Sequence, residues 1–277
     1  MVGIGNIGMM HCNYLLKNEA QNTKLTAVCD IDPKRISKFR SSFGDGVPAF
    51  ESYMDLYCSG FVDAVLIATP HYSHPKLAID AFESGLHVLV EKPTGVYTKQ
   101  VMEMNGVAKK SGKVFGSMFC LRVLPVYKKI KDILASGELG ELKRLSWTAT
   151  AWYRPQAYHD SSSWRSSWAG EGGGLLINQC PHNFDLLQWF VGMPLRVRSF
   201  VGFGKFYDIE VEDEVTAYME FPNGAIGIFV ASTGETPGVN RIEFAGDMGN
   251  LIVENNSIKF FRNRVSERVF NKVNTNP

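Results

Sequence analysis

The sequence predicts an α/β fold in two domains. Residues 1–120 read as a doubly wound parallel sheet, and residues 121–277 as an α+β domain with a large, open, mainly antiparallel sheet. Three observations lead there. The chain opens on a glycine turn, Gly3-Ile4-Gly5-Asn6-Ile7-Gly8. Short apolar strands then alternate with helical segments as far as residue 118, and parallel neighbours need such crossovers. From residue 196 onward, strands follow one another through tight turns, which is antiparallel connectivity.

Composition narrows the function. Of 277 residues, 45% are hydrophobic and 21% charged, ordinary for a globular chain. Lys+Arg number 29 against 28 Asp+Glu, so no nucleic-acid or anionic-membrane partner is expected. No apolar run reaches the roughly 20 residues of a membrane helix, and no signal-peptide pattern is present. The five cysteines (Cys12, Cys29, Cys58, Cys120, Cys180) are scattered, with no C-x-x-C. That favours reduced thiols in the cytoplasm over a disulfide framework or a zinc site.

In a dinucleotide-binding reading, Gly3 permits a tight turn after a strand and Gly5 lets the backbone approach a pyrophosphate. Gly8 lets the next helix pack closely, its N-terminus aimed at the phosphates, with Asn6 and Ile7 completing the loop. Only Met1-Val2 precede the turn, so the first strand looks clipped. Residues 9–17 read as a helix and residues 25–29 as a strand ending in Asp30. This is the context the motif requires, an acid about 20 residues on that can bind a ribose 2′-OH. Asp30 stands 22 residues after Gly8, and its charge would repel a 2′-phosphate, so NAD is expected rather than NADP. The competing role for Asp30 is a surface cap on the Asp30-Ile31-Asp32-Pro33 turn.

Residues 33–43 form a plausible helix with Pro at its first position, and residues 52–58 another with Ser52 as N-cap. Residues 64–68 are a continuous apolar run, as in a strand buried on both faces, and end in Thr69-Pro70-His71-Tyr72-Ser73-His74. A helix over 75–84 is stopped by Gly85, and a strand over 87–90 ends in Glu91-Lys92-Pro93. Residues 98–111 read as a helix capped by Thr98 and ended by Gly112, and residues 114–118 as the last strand. Ligands of such sheets bind beyond the carboxyl ends of the strands. Gly5, Asp30, Thr69, Pro70, Glu91 and Lys92 should therefore line one crevice. His71 and His74 have no further ligands at metal spacing, so no metal is expected. His74 either caps the following helix or borders the cofactor.

The glycine turn, Ala68-Thr69-Pro70 with a nearby His, and Glu91-Lys92-Pro93 together resemble the glucose–fructose oxidoreductase / inositol dehydrogenase / MocA family. The resemblance implies an NAD-binding Rossmann domain in which Lys92 is catalytic, hydrogen-bonding both the substrate hydroxyl and the nicotinamide ribose. It also implies a Lys–Pro peptide that is often cis. The chemistry stands independently, since an ammonium beside a hydroxyl stabilises developing alkoxide charge.

In the second half, residues 124–136 read as an amphipathic helix closed by Gly137, and residues 142–153 as a long strand with aromatic ends. Residues 154–170 have no clear period but carry Tyr158-His159-Asp160, a serine run, Trp164-Arg165 and Trp168. Such an aromatic stretch suits an ordered loop over a site. Gly172-Gly173-Gly174 then leads into a helical segment in which Asn178, His182 and Asp185 stand at i, i+4 and i+7. On a continuous helix they make one polar stripe; Pro181 kinks or restarts it. This segment resembles the same family, whose Gly-Gly-Gly run precedes a helix with a His and, three residues later, an Asp. Inositol dehydrogenase-like members carry an Asp four residues before the His, where this chain has Asn178. Asn cannot accept a proton, so the resemblance implies His182 as the base alone, Asn178 bonding the substrate, and Asp185 in a structural or orienting role. Members acting on nucleotide-sugar or aminosugar acids are similar in having Asn-Gln ahead of the His. Strands are expected over 196–204, 213–221, 225–232, 240–245, 250–254 and 258–261 as an antiparallel meander. Family members usually continue with a further helix and strand, so this end also looks clipped.

The resulting expectation is an NAD-dependent dehydrogenase acting on a secondary hydroxyl of a sugar, polyol or sugar derivative. His182 removes the proton, Lys92 steadies the oxygen, and hydride passes to the nicotinamide. Tyr153, Arg154, Trp164 and Arg165 are candidate substrate contacts, because aromatics suit sugar faces and a guanidinium suits a carboxylate or phosphate. Loop packing is their competing role. A homo-oligomer, dimer or tetramer, is expected through the open sheet. Two alternatives stay open: a redox-elimination enzyme like the NAD-dependent glycosidases, and a non-catalytic dinucleotide-sensing regulator.

Overall fold

A computed structural model describes residues 1–274; Thr275, Asn276 and Pro277, the end of the expected second domain, lie outside the described residues. The chain divides into two compact units. One comprises Met1–Met118 with Gly170–Gly172, the other Phe119–Ala169 with Gly173–Pro277.

The first unit runs α1 (Asn6–Leu16), β1 (Val28–Cys29), α2 (Pro33–Phe43), β2 (Ala49–Phe50), α3 (Tyr53–Cys58), β3 (Ala64–Ile67), α4 (His74–Glu83), β4 (His87–Val90), α5 (Thr98–Ser111) and β5 (Phe115–Ser117). β1 pairs with β2, and β3, β4 and β5 lie side by side, all parallel. Val2 joins the two groups through parallel bridges to Cys29 and Ile67. The segments after Val2, Cys29, Ile67 and Val90 therefore all leave the carboxyl end of the strands. Val65, Ile67, Val88 and Val90 are buried with Ala78 and Met104 from the covering helices. The alternate residues Leu66 and Leu89 are half-buried, so apolar side chains occupy both faces of these strands.

Several boundaries differ from expectation. The strand expected over 25–29 pairs only at Val28–Cys29, and β2 was not anticipated. Two-residue ladders are too short to leave a period in the sequence. Asp32, not Asp30, caps α2, accepting from the Lys34 N–H at 2.9 Å. Thr98 does not cap α5: Tyr97 holds that position, with no side-chain cap. Nor does His74 cap α4, whose first residue it is; its ring is engaged elsewhere.

The second unit runs α6 (Pro125–Ala135), β6 (Leu142–Ala149), α7 (Gln156–His159), α8 (Leu175–Asn178), α9 (Pro181–Val191), β7 (Arg196–Phe203), β8 (Glu212–Glu220), β9 (Ile226–Ser232), β10 (Asn240–Gly246), β11 (Gly249–Glu254), β12 (Ser257–Arg262) and α10 (Glu267–Val273). The strands form one sheet in the order β12-β11-β10-β6-β9-β8-β7. Every pairing is antiparallel except β6 with β9. The expected meander is thus interrupted, because β6 inserts between β9 and β10. Alternating residues of the sheet, among them Leu145, Trp147, Phe229 and Phe244, share a core with Ile130 of α6 and Leu186 of α9. The other face carries Phe200, Tyr218 and a row of ion pairs, Arg144–Glu243, Arg241–Glu243 and Arg241–Glu254.

The strand expected over 142–153 stops at Ala149. The helix α10 was not anticipated, although Ser266 caps it by accepting from the Val269 N–H at 3.2 Å. Asn178, His182 and Asp185 do not share one helix: α8 ends at Asn178 and α9 starts afresh at Pro181. Proline has no N–H to give a preceding turn, so it restarts the helix from its first position. Among the described residues no helix is long and apolar enough to cross a membrane. None of the five cysteines forms a disulfide, and burial pushes the Cys12 and Cys29 thiols up to about 11.

Candidate active site

The glycine turn is folded onto itself. Gly3 has φ +85°, and a Cβ there would sit 2.8 Å from the Ala68 carbonyl. A Cβ on Gly8 would sit 2.0 Å from the Gly3 oxygen. Both positions thus admit only glycine. α1 starts directly after Gly5, with no side-chain cap and no acid in its first turn. The first-turn N–H groups, including those of Asn6 and Ile7, lack helical acceptors and stand at the positive end of the helix dipole.

Asp30 is buried at the end of β1. Its Oδ2 accepts from the Ile4 N–H at 2.9 Å and its Oδ1 from the Asp32 N–H at 3.0 Å, tying the strand end to the glycine turn. An ionised carboxylate has about four lone-pair sites, so capacity for a hydroxyl remains. Arg35, not foreseen from the sequence, places NH1 3.6 Å from Asp30 Oδ2 and 3.2 Å from where a Gly5 Cβ would be. A cradle only glycine can line, an uncapped helix N-terminus and an adjoining carboxylate fit a dinucleotide. Gly3, Gly5, Asn6, Ile7 and Gly8 would hold its pyrophosphate and Asp30 a ribose.

The neighbouring segments are tightly tied. Thr69 Oγ1 lies 2.7 Å from Ser73 Oγ, which donates to the Pro70 carbonyl at 2.7 Å. His71 Nδ1 lies 3.0 Å from the Glu171 carbonyl oxygen. His74, fully buried, holds Nδ1 2.8 Å from the Pro93 carbonyl oxygen and Nε2 2.7 Å from that of Thr69. Burial pushes its pKa down, against the two carbonyls and Glu91, which favour the charged ring. Among the described residues no group of three or more His, Cys, Asp and Glu is placed to hold a metal ion.

Glu91 follows β4, its N–H donating to the Ile67 carbonyl at 2.9 Å. Its Oε1 lies 2.6 Å from His11 Nε2, and its Oε2 accepts from the Lys92 N–H at 3.1 Å. Burial pushes this carboxyl up, but the His11 contact and Lys92 outweigh it and hold it below the usual carboxylate range. The Lys92–Pro93 peptide is cis.

In the second unit, three donors converge on Tyr158 Oη: Arg165 NH1 at 2.7 Å, Asn178 Nδ2 at 3.3 Å and Gln179 Nε2 at 3.4 Å. The Arg154 and Arg165 guanidinium carbons lie 4.9 and 4.5 Å from the Tyr158 ring centroid. Arg154 also lies 5.4 Å from the Trp152 centroid, and Arg165 4.7 Å from that of Trp164. Such cation–π contacts orient guanidiniums without neutralising them. Nε of both arginines is buried with no hydrogen-bond acceptor, and neither forms an ion pair with a carboxylate among the described residues. Tyr153 is exposed, and the Arg154 NH1 donates to its carbonyl at 3.3 Å. His159 is buried with Nδ1 2.5 Å from Ser166 Oγ, and burial pushes its pKa down.

The last glycine of the triple is required by a tertiary contact. A Cβ on Gly174 would come within 2.2 Å of the Glu212 carbonyl oxygen. The buried Glu212 carboxylate accepts from the Gly174 and Leu176 N–H groups at 3.0 and 2.9 Å, clamping the start of α8. His182 is the second residue of α9, half-buried, its ring edge-on to Phe119 at 6.0 Å. Asp185 pairs with Arg122. Sequence reading missed His11, Arg35 and the role of Tyr158. No local signal marks them, since Glu91 is 80 residues from His11 and Asn178 is 20 from Tyr158.

A family model described as an oxidoreductase family with an NAD-binding Rossmann fold matches residues 1–119, and one described as the GFO/IDH/MocA C-terminal domain matches residues 127–252. The rhizopine catabolism protein MocA of Rhizobium meliloti is 29% identical over 69% of this chain and 56% of its own length. An inositol 2-dehydrogenase/D-chiro-inositol 3-dehydrogenase of Lactiplantibacillus plantarum is 28% identical over 69% of this chain, which spans about half (51%) of that relative. Among solved structures, the WlbA dehydrogenase of Chromobacterium violaceum, with NADH and UDP-GlcNAcA bound, is 27% identical with a TM-score of 0.87, covering 98% of this chain and 78% of that one.

Proposed function

The chain belongs to the Gfo/Idh/MocA oxidoreductases, an NAD-binding Rossmann-fold family, and on that premise we propose that it is a dehydrogenase oxidising a secondary hydroxyl of an anionic sugar derivative. The observation that carries this reading is that the glycine turn, Asp30, Thr69 and Lys92 all follow strands at the carboxyl end of one parallel sheet. Ligands of such sheets bind at that end. The nicotinamide, when bound, supplies the hydride acceptor. Lys92 presents its ammonium to the hydroxyl oxygen and stabilises the negative charge that grows there. His182 takes the hydroxyl proton, which Asn178 cannot do. Asn178 has an amide to offer the sugar.

Arg154 and Arg165 support the anionic substrate in this reading. Two guanidiniums oriented on one tyrosine, without carboxylate partners among the described residues, match a carboxylate or phosphate. The relative solved with UDP-GlcNAcA supports the same class. Pairing of two copies through the open sheet face, with exposed Phe200 and Tyr218, is the oligomer this reading favours.

The test is NAD reduction across sugar acids, nucleotide-linked sugar acids, neutral hexoses and inositols. It uses wild type, Lys92→Met, His182→Ala and Arg165→Met. Charged sugars should turn over best, and Arg165→Met should raise KM for them alone. Lys92→Met and His182→Ala should each lose about 10²-fold or more in kcat. Wild-type turnover in both variants would end the mechanism, and equal use of neutral polyols would end the anionic assignment.

A further inference from the structure

His11 lies on α1, the helix that begins at the glycine turn. Its side chain and that of Glu91 are 14% and 10% exposed, so the pair is largely shielded from water. One carboxylate oxygen of Glu91 meets His11 Nε2 at 2.6 Å, and the other accepts the backbone N–H of Lys92 at 3.1 Å. A shielded carboxylate is costly without a partner, and His11 supplies one. Charge-assisted hydrogen bonds of this length are about twice as strong as neutral ones. If Glu91 turned away from His11, the Lys92 N–H would lose this acceptor and the peptide plane one of the bonds that orient it. That plane sets the direction in which the Lys92 side chain leaves the backbone. The charged and titratable groups around Glu91 are His11 on α1, Lys92 beside it and His74 at the start of α4.

We infer that His11 is a positioning residue for Lys92, acting through the Glu91 carboxylate. The inference rests on the reading of Lys92 as the lysine that meets the substrate hydroxyl. It makes the helix that receives the cofactor phosphates and the lysine segment one mechanical unit.

The test compares His11→Leu, His11→Asn and His11→Gln with Lys92→Met in the full chain. Glutamine carries an N–H at about the reach of Nε2. Asparagine is polar but too short, and serves where the leucine variant does not fold. Three quantities are measured: kcat and KM with the best substrate of the NAD-reduction panel, the NAD dissociation constant by tryptophan fluorescence, and the pH dependence of Lys92 acylation by acetic anhydride. Acylation is read by peptide mass spectrometry without substrate. His11→Leu and His11→Asn should lower kcat about tenfold while KM and NAD affinity stay within about twofold. His11→Gln should recover most of the loss. The acylation midpoint should move to higher pH in the leucine and asparagine variants, because a carboxylate deprived of His11 holds the neighbouring ammonium charged. Unchanged kcat and acylation in both, or equal impairment in glutamine and asparagine, would overturn the inference. If Lys92→Met keeps turnover, the reading of Lys92 fails instead, and the acylation profile still reports whether His11 acts on Lys92.

Discussion

Arg122 grips Asp185 through two parallel hydrogen bonds, Nε to Oδ2 and NH2 to Oδ1, each 2.7 Å long. The guanidinium also lies 5.4 Å from the Trp189 ring centroid. Asp185 thus joins the 3-10 turn Cys120–Val123 to the middle of α9, one turn beyond His182. We expect Asp185→Asn to lower unfolding free energy by about 1–2 kcal/mol, since a bidentate ion pair becomes a single hydrogen bond from the guanidinium to a neutral amide oxygen. Urea denaturation measures this. A fall in kcat beyond about tenfold, with stability unchanged, would instead make Asp185 part of the chemistry.

Gly8→Ala should be among the most damaging small changes in the chain. The added Cβ would meet the Gly3 oxygen at 2.0 Å, which is backbone and cannot rotate aside. We expect a stability loss of about 1–3 kcal/mol and NAD binding weakened at least about tenfold as the turn opens. Calorimetric titration of NAD with the folded variant checks the second effect.

Cofactor choice should hinge on Asp30 and Arg35. The carboxylate, 3.6 Å from Arg35 NH1, now offsets the guanidinium and would repel a 2′-phosphate. Asp30→Ser removes the repulsion and leaves Arg35 available to a phosphate. The ratio of NADP to NAD affinity should rise about tenfold or more. Tighter NADP binding by the wild type would refute the role assigned to Asp30.

The Glu91 carboxyl sits below its ordinary value of 4.5 in the folded protein. The fold therefore favours its ionised form. The stability this contributes is fully present above pH 4.5 and is lost as pH falls through the folded value. Denaturation of wild type and Glu91→Gln at neutral pH and at successively lower pH should show the gap between them closing in acid. A gap that widens on acidification would reverse the sign argued here.

Much of the architecture was legible because it is locally encoded. Apolar runs such as Ala64–Ile67 mark the strands of the parallel sheet, and Pro33 or Gly112 mark helix ends through their own backbone limits. The Asn178–His182–Asp185 spacing left two readings open, one continuous stripe or a restart at Pro181, and the structure takes the restart. Periodicity assumes one continuous helix, and Pro181 starts a second.

The sequence by itself determined which residues stand at strand ends, where glycine is required for a turn, and that two architectures follow one another along the chain. Only the tertiary structure decided that β6 lies between β9 and β10, that Glu212 clamps the start of α8, and that His11 meets Glu91. Local pattern reports which face of an element a residue occupies. What meets that face is set by segments distant in the chain, brought together by burial of their shared apolar surface.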